Sequence, residues 1–446
     1  MKRSGQPLPI GIDIGASGVR MIQLAIGEHG PVVIAAVRGR WADDVREKTQ
    51  AGRTPELSLV KDQLIRLLRQ GGFVGRECTL SLPREFVTVK SLRLPPMPDQ
   101  DLLIAAEFEL RQTITPGPSE PRIGLIPCGE VRSGAGTQQE VLGILADSNS
   151  IDSFVESWHA LGFVPTGLDF EPLALYRTVG RFARRRDDAQ EVNVVLDFGL
   201  RRTHMLIGRG RGLSFFKCIE VGGWQLTHAV SRKLGITTEE AWTLRNRLIE
   251  TASTVDVTGS DPVRQAVFDA TRPLVDHLAR EVVNCLRYFS VNFRGSRPTR
   301  LRVAGNEAGD PSVLRVLSDA LPLTVEPSRA LLNADLSRMK PHDRSGVLAT
   351  WSLAFGLGLR DAEGPFPDRT GASRESQAQL GSTSTPLVEP VADADRSSNE
   401  TVVIGSRLQP ESVRVGSAQT MAAAPVGVGA ISSEADAVAS EVNHHG

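Results

Sequence analysis

Two aspartates, each heading the same short motif, are the residues in this chain best suited to chemistry. The first lies in I-G-I-D-I-G-A-S-G-V-R (10–20), where Asp13 and Gly15 close an apolar run. The second lies in V-N-V-V-L-D-F-G-L-R-R-T (192–203), where Asp197 and Gly199 do the same. A glycine turn at a strand end brings backbone N–H groups to an anion with no Cβ in the way, and Gly15 and Gly18 suit that use. Ser17 adds a hydroxyl. A carboxylate does not touch phosphate directly, so Asp13 would act through Mg²⁺ or its bound waters. A single D-x-G is just as readily an ordinary hairpin turn. Two of them, followed by the glycine-containing loop Gly305–Gly309, point to a cleft between two lobes that closes on a nucleotide, with both aspartates approaching one Mg²⁺.

The elements that must hold these residues are legible around them. Ile10, Ile12 and Ile14 alternate as in a buried strand, V-R-M-I-Q-L after Gly18 returns as a second, and P-V-V-I-A-A-V-R (31–38) is a third. After Thr203, H-M-L-I-G and Leu213–Val221 complete a second meander of the same kind, so the chain is expected to contain two related lobes. Strand, not helix, follows Gly18, which excludes the dinucleotide fingerprint; no G-K-[ST], G-x-S-x-G or H-E-x-x-H motif occurs. Helices are expected at Leu59–Gln70, Leu102–Gln112 with Asp99 as N-cap, Ser150–Leu161, Glu171–Gly180, Trp224–Leu234 and Glu239–Ile249. Three more are expected at Asp261–Phe289, kinked or divided by Pro273, at Ser312–Ala320 and at Gly346–Leu359. Glu171 has two readings: a carboxylate that activates water at the cleft, or a first-turn residue beside Pro172 that satisfies helix amides. Asp169 shares that ambiguity. His159, His204 and His228 show no metal spacing and read as packed or surface side chains.

Composition narrows the function classes. Of 446 residues, 40% are apolar, enough for a real core, and the formal net charge of −1 gives no global reason to expect nucleic acid. Residues 361–446 carry 12 acidic and 5 basic side chains, a balance of −7, which leaves +6 for residues 1–360. That mildly basic body suits work near an anionic membrane face or an acidic partner. Cys78, Cys128, Cys218 and Cys285 lack metal spacing and read as reduced thiols. M-K-R-S-G-Q-P-L-P is not a signal peptide, and no run of 18 apolar residues occurs, so a cytosolic chain is expected.

From Ile10 to Arg360 the chain resembles the actin/Hsp70/sugar-kinase superfamily, and within it the PilM family of type IV pilus assembly proteins, relatives of the division protein FtsA. The motifs at 10–20 and 197–203 carry the resemblance. So do L-R-L-P-P-M-P (92–98), G-L-D-F-E-P-L-A-L-Y-R (167–177), E-V-G-G-W-Q-L-T (220–227) and L-A-F-G-L-G-L-R (353–360). It implies an α/β, two-lobed actin-like (ribonuclease H-like) ATPase fold. Residues 8–77 and 163–186 would form the first lobe, 78–162 an inserted α+β subdomain, 190–360 the second lobe, and 361–446 a disordered acidic tail. It also implies ATP and Mg²⁺ as cofactors. Asp13, Gly15, Ala16, Ser17 and Gly18 would be the first phosphate loop, and Asp197, Gly199 and Thr203 the second. Asp13 and Asp197 would serve the metal, and Glu171 would be the candidate base. Gly222 and Gly223 would let a helix approach the nucleotide, and Gly305, Asn306 and Gly309 would form the adenosine loop.

The implied partner is the short N-terminal cytosolic peptide of a PilN-like inner-membrane protein. That would place the chain at the membrane only indirectly, with self-association left open. Three departures stand out. Asn306 and Glu307 replace glycines, bringing a carboxylate that repels phosphate or accepts from a ribose. Arg20 stands where lysine is common. Arg201 and Arg202 replace small or polar residues, to pair with phosphate or to face water. A pseudo-ATPase scaffold, an FtsA-like division protein and a small-molecule kinase are the alternative readings.

Overall fold

Ile12, Met21 and Val37 stand directly opposite one another on three antiparallel strands, β1 (Ile10–Gly15), β2 (Gly18–Gly27) and β3 (Gly30–Arg40), and all three are buried on one face. The alternation that puts them there is the period-2 pattern of a half-buried sheet. β1 then pairs in parallel with β4 (Glu77–Ser81), which pairs with β8 (Val164–Asp169), giving the order β3-β2-β1-β4-β8. A second sheet is built the same way from β9 (Val192–Phe198), β10 (Thr203–Arg209), β11 (Gly212–Ile219), β12 (Arg300–Gly305) and β13 (Thr324–Pro327), in the order β11-β10-β9-β12-β13. The motif repeat is therefore a repeat of topology. In this computed structural model the described residues are 5–362, without 43, 46–54, 114–120, 134–135, 186, 252–260 and 294–296. The expectation of a disordered tail lies, from residue 363 on, outside them.

A third, antiparallel sheet has the order β5-β7-β6, from β5 (Val87–Leu94), β6 (Pro121–Ser133) and β7 (Gly136–Asp147). Cys78, expected to open the insert, instead lies in β4, paired with Ile10 of β1 and Pro165 of β8. The separate sheet starts only at Val87. β6 escaped sequence reading because Gly124, Pro127 and Gly129 break its pattern; a register shift between Pro127 and Gly129 absorbs them. Two further corrections concern helices. Asp99 is not an N-cap but the first residue of the helix Asp99–Gln112, with Pro98 before it. The stretch Gly346–Leu359 is a 3₁₀ turn, Leu348–Trp351, followed by a short helix, Ser352–Gly358. The helix Pro262–Asn292 runs through Pro273 undivided. Among the described residues no helix is long and apolar enough to cross a membrane.

The helix Ser352–Gly358 joins the last part of the chain to the first sheet, lying on β1 and β2 and against the helix Glu171–Gly180. Its approach needs glycine on both sides. A Cβ on Gly11 would overlap the Ala354 carbonyl, and one on Gly356 would overlap the carbonyl of Ala174. Gly11→Ala is therefore expected to lower the unfolding free energy by about 1–3 kcal/mol through overpacking. Denaturant titration checks this, and an unchanged midpoint would contradict the packing described. Arg177 completes the junction, donating to both Asp169 Oδ2 and the Gly356 carbonyl at 2.8 Å.

Candidate functional site

Strand register alone assembles two matching rows of side chains. Across β1, β2 and β3 the row is Asp13, Arg20, Arg38. Across β9, β10 and β11 it is Asp197, His204, Cys218. Five of these six, all but Cys218, line one cavity of about 1220 Å³, together with the turn residues Ala16 and Ser17, Gly199 to Arg202, and Gly305 and Asn306. Each row sets a carboxylate at a strand end beside a cation on the neighbouring strand. Arg20 lies 3.5 Å from Asp13. His204 Nδ1 lies 3.3 Å from Glu171 Oε1, and Glu171 begins the helix that Ser352–Gly358 holds in place.

Burial and crowded carboxylates shape the electrostatics. Desolvation pushes the Asp13 carboxyl up to about 6, with Arg20 opposing and Glu171 adding. Desolvation, then Glu171, pushes Asp197 to about 7 against the pull of His204. Burial disfavours the His204 cation, yet Glu171, Cys218 and Asp197 outweigh it and raise the imidazole to about 10. Burial likewise pushes Glu171 up, but His204, Arg202 and Arg84 more than cancel it, and its carboxyl stays below the usual range. At neutral pH Glu171 and His204 are thus a charged pair. Burial alone lowers Arg201 to about 10; its guanidinium sits 4.7 Å over the Trp224 ring. Its Nε and one terminal nitrogen are buried with no hydrogen-bond partner among the described residues.

Glu171, Asp197 and His204 bring one potential ligand atom each within 4.8 Å of one another, a potential metal-coordinating cluster. His204 offers no lone pair while it is an imidazolium, so the donors suited to a hard cation are the carboxylates. The raised Asp13 and Asp197 mark negative charge that a divalent cation would relieve, and in that respect the residues fit Mg²⁺. Asp13 itself lies outside the tight cluster and faces Arg20. His204 was not singled out from sequence as a site residue. The signal was present in the hairpin: with a turn over residues 199–202, the residue after Thr203 must stand opposite Asp197.

Of the expected site residues, Asp13, Gly15, Ala16, Ser17, Glu171, Asp197, Gly199, Gly305 and Asn306 line the cavity. The others do structural work beside it. Thr203 is fully buried and donates its hydroxyl to the Val221 carbonyl at 2.7 Å, away from the cavity. Gly18 packs against the Gly39 carbonyl. Gly222 and Gly223 let the helix Gly223–Leu234 approach the second hairpin turn, where Gly223 and Trp224 N–H groups donate to Gly199 (3.0 Å) and Leu200 (2.7 Å). Gly309 packs under Val347 and Ile249. Gly305 is required: it has φ +87°, and a Cβ would overlap the Phe198 carbonyl.

Glu307 does not confront the cavity as a free carboxylate. It is buried in an ion pair with Arg245, whose other nitrogen donates to the Gly223 carbonyl (3.0 Å) and Thr227 Oγ1 (3.1 Å). Asn306 donates to Asn246 Oδ1 at 3.3 Å. Asp169 is likewise structural, accepting from Arg177 and from the Phe170 N–H at 2.8 Å. Glu171 stands in the first turn of its helix, where its carboxylate pairs with His204, and the N-cap residue Phe170 makes no side-chain cap.

Two like-ordered sheets that each deliver a D-x-G hairpin to a shared cavity define the actin/Hsp70/FtsA class of fold. Residues 11–361 match the family described as type IV pilus assembly protein PilM, and the chain belongs to that family. Among solved structures it is similar to the PilM-PilN type IV pilus biogenesis complex, at 20% identity and a TM-score of 0.63, over 80% of this chain and 99% of that one. It is also similar to the ethanolamine utilization protein EutJ of Carboxydothermus hydrogenoformans, at 13% identity and a TM-score of 0.44, over 80% and 90% of the two chains. Comparison with curated proteins finds no match.

Proposed function

We propose that this chain is a nucleotide-binding component of type IV pilus assembly, or of a related type II secretion machine, that couples ATP-dependent closure of two lobes to binding of a membrane partner. The observation that carries the reading is the pair of facing rows, Asp13–Arg20–Arg38 and Asp197–His204–Cys218, across one cavity. The lobes are read as the first sheet with its helices and as residues 190–360, with the insert, whose own sheet starts at Val87, beside the first. When bound, Mg²⁺-ATP would bring a dense phosphate charge between the two hairpins. Asp13 and Asp197 would hold the metal; Arg20 and Arg201, which line the cavity, would turn their guanidiniums to the phosphates. Tight binding to one lobe arrangement biases the protein toward it.

Hydrolysis is expected to be slow or absent. A base must accept a proton, and Glu171 is held ionised by His204 with its pKa depressed, which weakens it for that task. A pseudo-ATPase scaffold is the second reading, favoured by the internal pairing of two of the cavity carboxylates, Asp13 and Glu171, with protein cations. A kinase would need a free aspartate toward a substrate hydroxyl, and Asp169 is spent on Arg177.

The partner we infer is the N-terminal cytosolic peptide of a PilN-like inner-membrane protein, which would place the chain at the cytoplasmic face of that membrane without nucleic acid. The matched complex contains a PilN. The cavity of this chain also continues past the first hairpin between Lys61, the turn Pro83–Phe86 and a row of Ser150, Ser153 and Phe154 on the helix Ser148–His159. An open trough of mixed polar and aromatic lining suits an extended peptide. ATP titration of the full chain by calorimetry with Mg²⁺ tests the core of the reading. Binding is expected for the unsubstituted protein and should be lost in Asp13→Ala and in Asp197→Ala. A folded protein that gives no heat with ATP would sink the ATP-dependent mechanism.

A further inference from the structure

We propose that Arg38 forms with Arg20 a two-guanidinium clamp for the terminal phosphate of the nucleotide, and that the same side chain reports that phosphate to the segment 340–346. The inference rests on the nucleotide-binding reading and deepens it. Arg20 and Arg38 are directly opposite in the β2–β3 register, on the same side of the sheet, and both line the cavity. Like charges placed opposite each other on neighbouring strands repel. The equivalent row in the second sheet ends in Cys218, so of the two rows only the first carries a second cation.

Arg38 is partly exposed and held by one strong bond where it stands. One terminal nitrogen donates to the His342 carbonyl at 2.6 Å, while its Nε is 3.9 Å from Asp343 Oδ1, too far for a hydrogen bond. Asp343 is fully buried, and neither oxygen has an aligned hydrogen bond among the described residues; His342 Nε2 is 3.0 Å from Oδ2. Arg20 Nε is also buried without a partner. Two guanidiniums side by side supply the forked donors that a phosphate with two or more free oxygens accepts. Gly305 and Asn306 on the second sheet line the same cavity as Arg20 and Arg38, so a nucleotide with its base at the former would have its far phosphate toward the first sheet.

The segment that Arg38 touches belongs to a connection tied to both sheets. After β13 that connection first pairs with the start of β3, through the Asp335 N–H to Pro31 and the Val33 N–H to Asp335, both 2.9 Å. It then runs through His342 and Asp343 to the helix Ser352–Gly358 on β1. An anion that draws Arg38 toward Arg20 pulls it from the His342 carbonyl and from the charge of Asp343, and so changes the anchoring of that connection.

Calorimetry on the full chain with ATP, ADP and inorganic tripolyphosphate tests this, for the unsubstituted protein, Arg38→Gln and Asp343→Asn. Arg38→Gln is expected to weaken ATP and tripolyphosphate by about tenfold and ADP by less than about twofold. Asp343→Asn, which removes the competing carboxylate, is expected to tighten ATP while leaving ADP unchanged. Equal losses for ATP and ADP in Arg38→Gln, or no loss in either, would overturn the clamp while leaving nucleotide binding in place. An unsubstituted protein that binds none of the three ligands would overturn the nucleotide reading itself, and the clamp with it.

Discussion

Asp197→Asn is expected to make the ligand-free protein more stable at pH 8, by about 2–4 kcal/mol, while removing its capacity to bind nucleotide with Mg²⁺. The Asp197 carboxyl titrates at 3.8 in the unfolded chain and at about 7 in the folded one. Between those values the folded state holds the extra proton, so stability falls as pH rises from about 4 to about 7, and the full penalty is present above 7. Asparagine carries no such penalty. The gain from the substitution should therefore be largest at pH 8 and nearly gone at pH 4. Denaturant titrations of both proteins at pH 5 and pH 8 read this directly. A variant destabilised equally at both pH values would show that Asp197 is held by hydrogen bonds, not opposed by desolvation and Glu171. A residue kept at a cost to stability is what a binding site requires of its ligand-holding carboxylates.

Arg245→Ala should have the largest destabilising effect, about 3–5 kcal/mol. It leaves the buried Glu307 carboxylate without its cation and strips donors from the Gly223 carbonyl and Thr227. Burial already pushes Glu307 up, with Arg245 opposing. Once Arg245 is gone, Glu307 takes up a proton more readily, so the deficit should be smaller at pH 5 than at pH 8. Replacing both partners, Arg245→Met with Glu307→Leu, should recover most of the loss, because a well-packed apolar pair avoids the desolvation of two ions. Unfolding midpoints for the unsubstituted protein and the two variants settle the matter; a double variant as weak as Arg245→Ala would mean that the bonds to Gly223 and Thr227, not the ion pair, hold the loop. The pair joins the helix Thr238–Thr251 to the Gly305–Gly309 turn, so its loss should also loosen the wall that carries Gly305 and Asn306.

The two antiparallel meanders, their D-x-G hairpins and the family to which the chain belongs were legible in local pattern, whereas the order in which parallel strands join each sheet was not. Alternating apolar residues and short glycine turns act over a few residues, and such signals survive without knowledge of the rest of the chain. What the pattern could not say is which way each side chain faces once the sheets and helices pack. Gly222 and Gly223 read in sequence as a pair that lets a helix approach, and Gly309 as part of a ligand loop; in the structure all three sit in close packing, against Arg201, Glu307, Val347 and Ile249. Thr203 turns its hydroxyl to Val221, 18 positions away, and Glu307 finds its cation in Arg245, 62 positions back. His204 gains its charge from Glu171 on a helix before its own sheet begins. Sequence alone determined the repeat and the backbone turns, because those are local. Tertiary structure decided which groups are charged, paired or open to a ligand, because burial and long-range ion pairs exist only after the chain has packed.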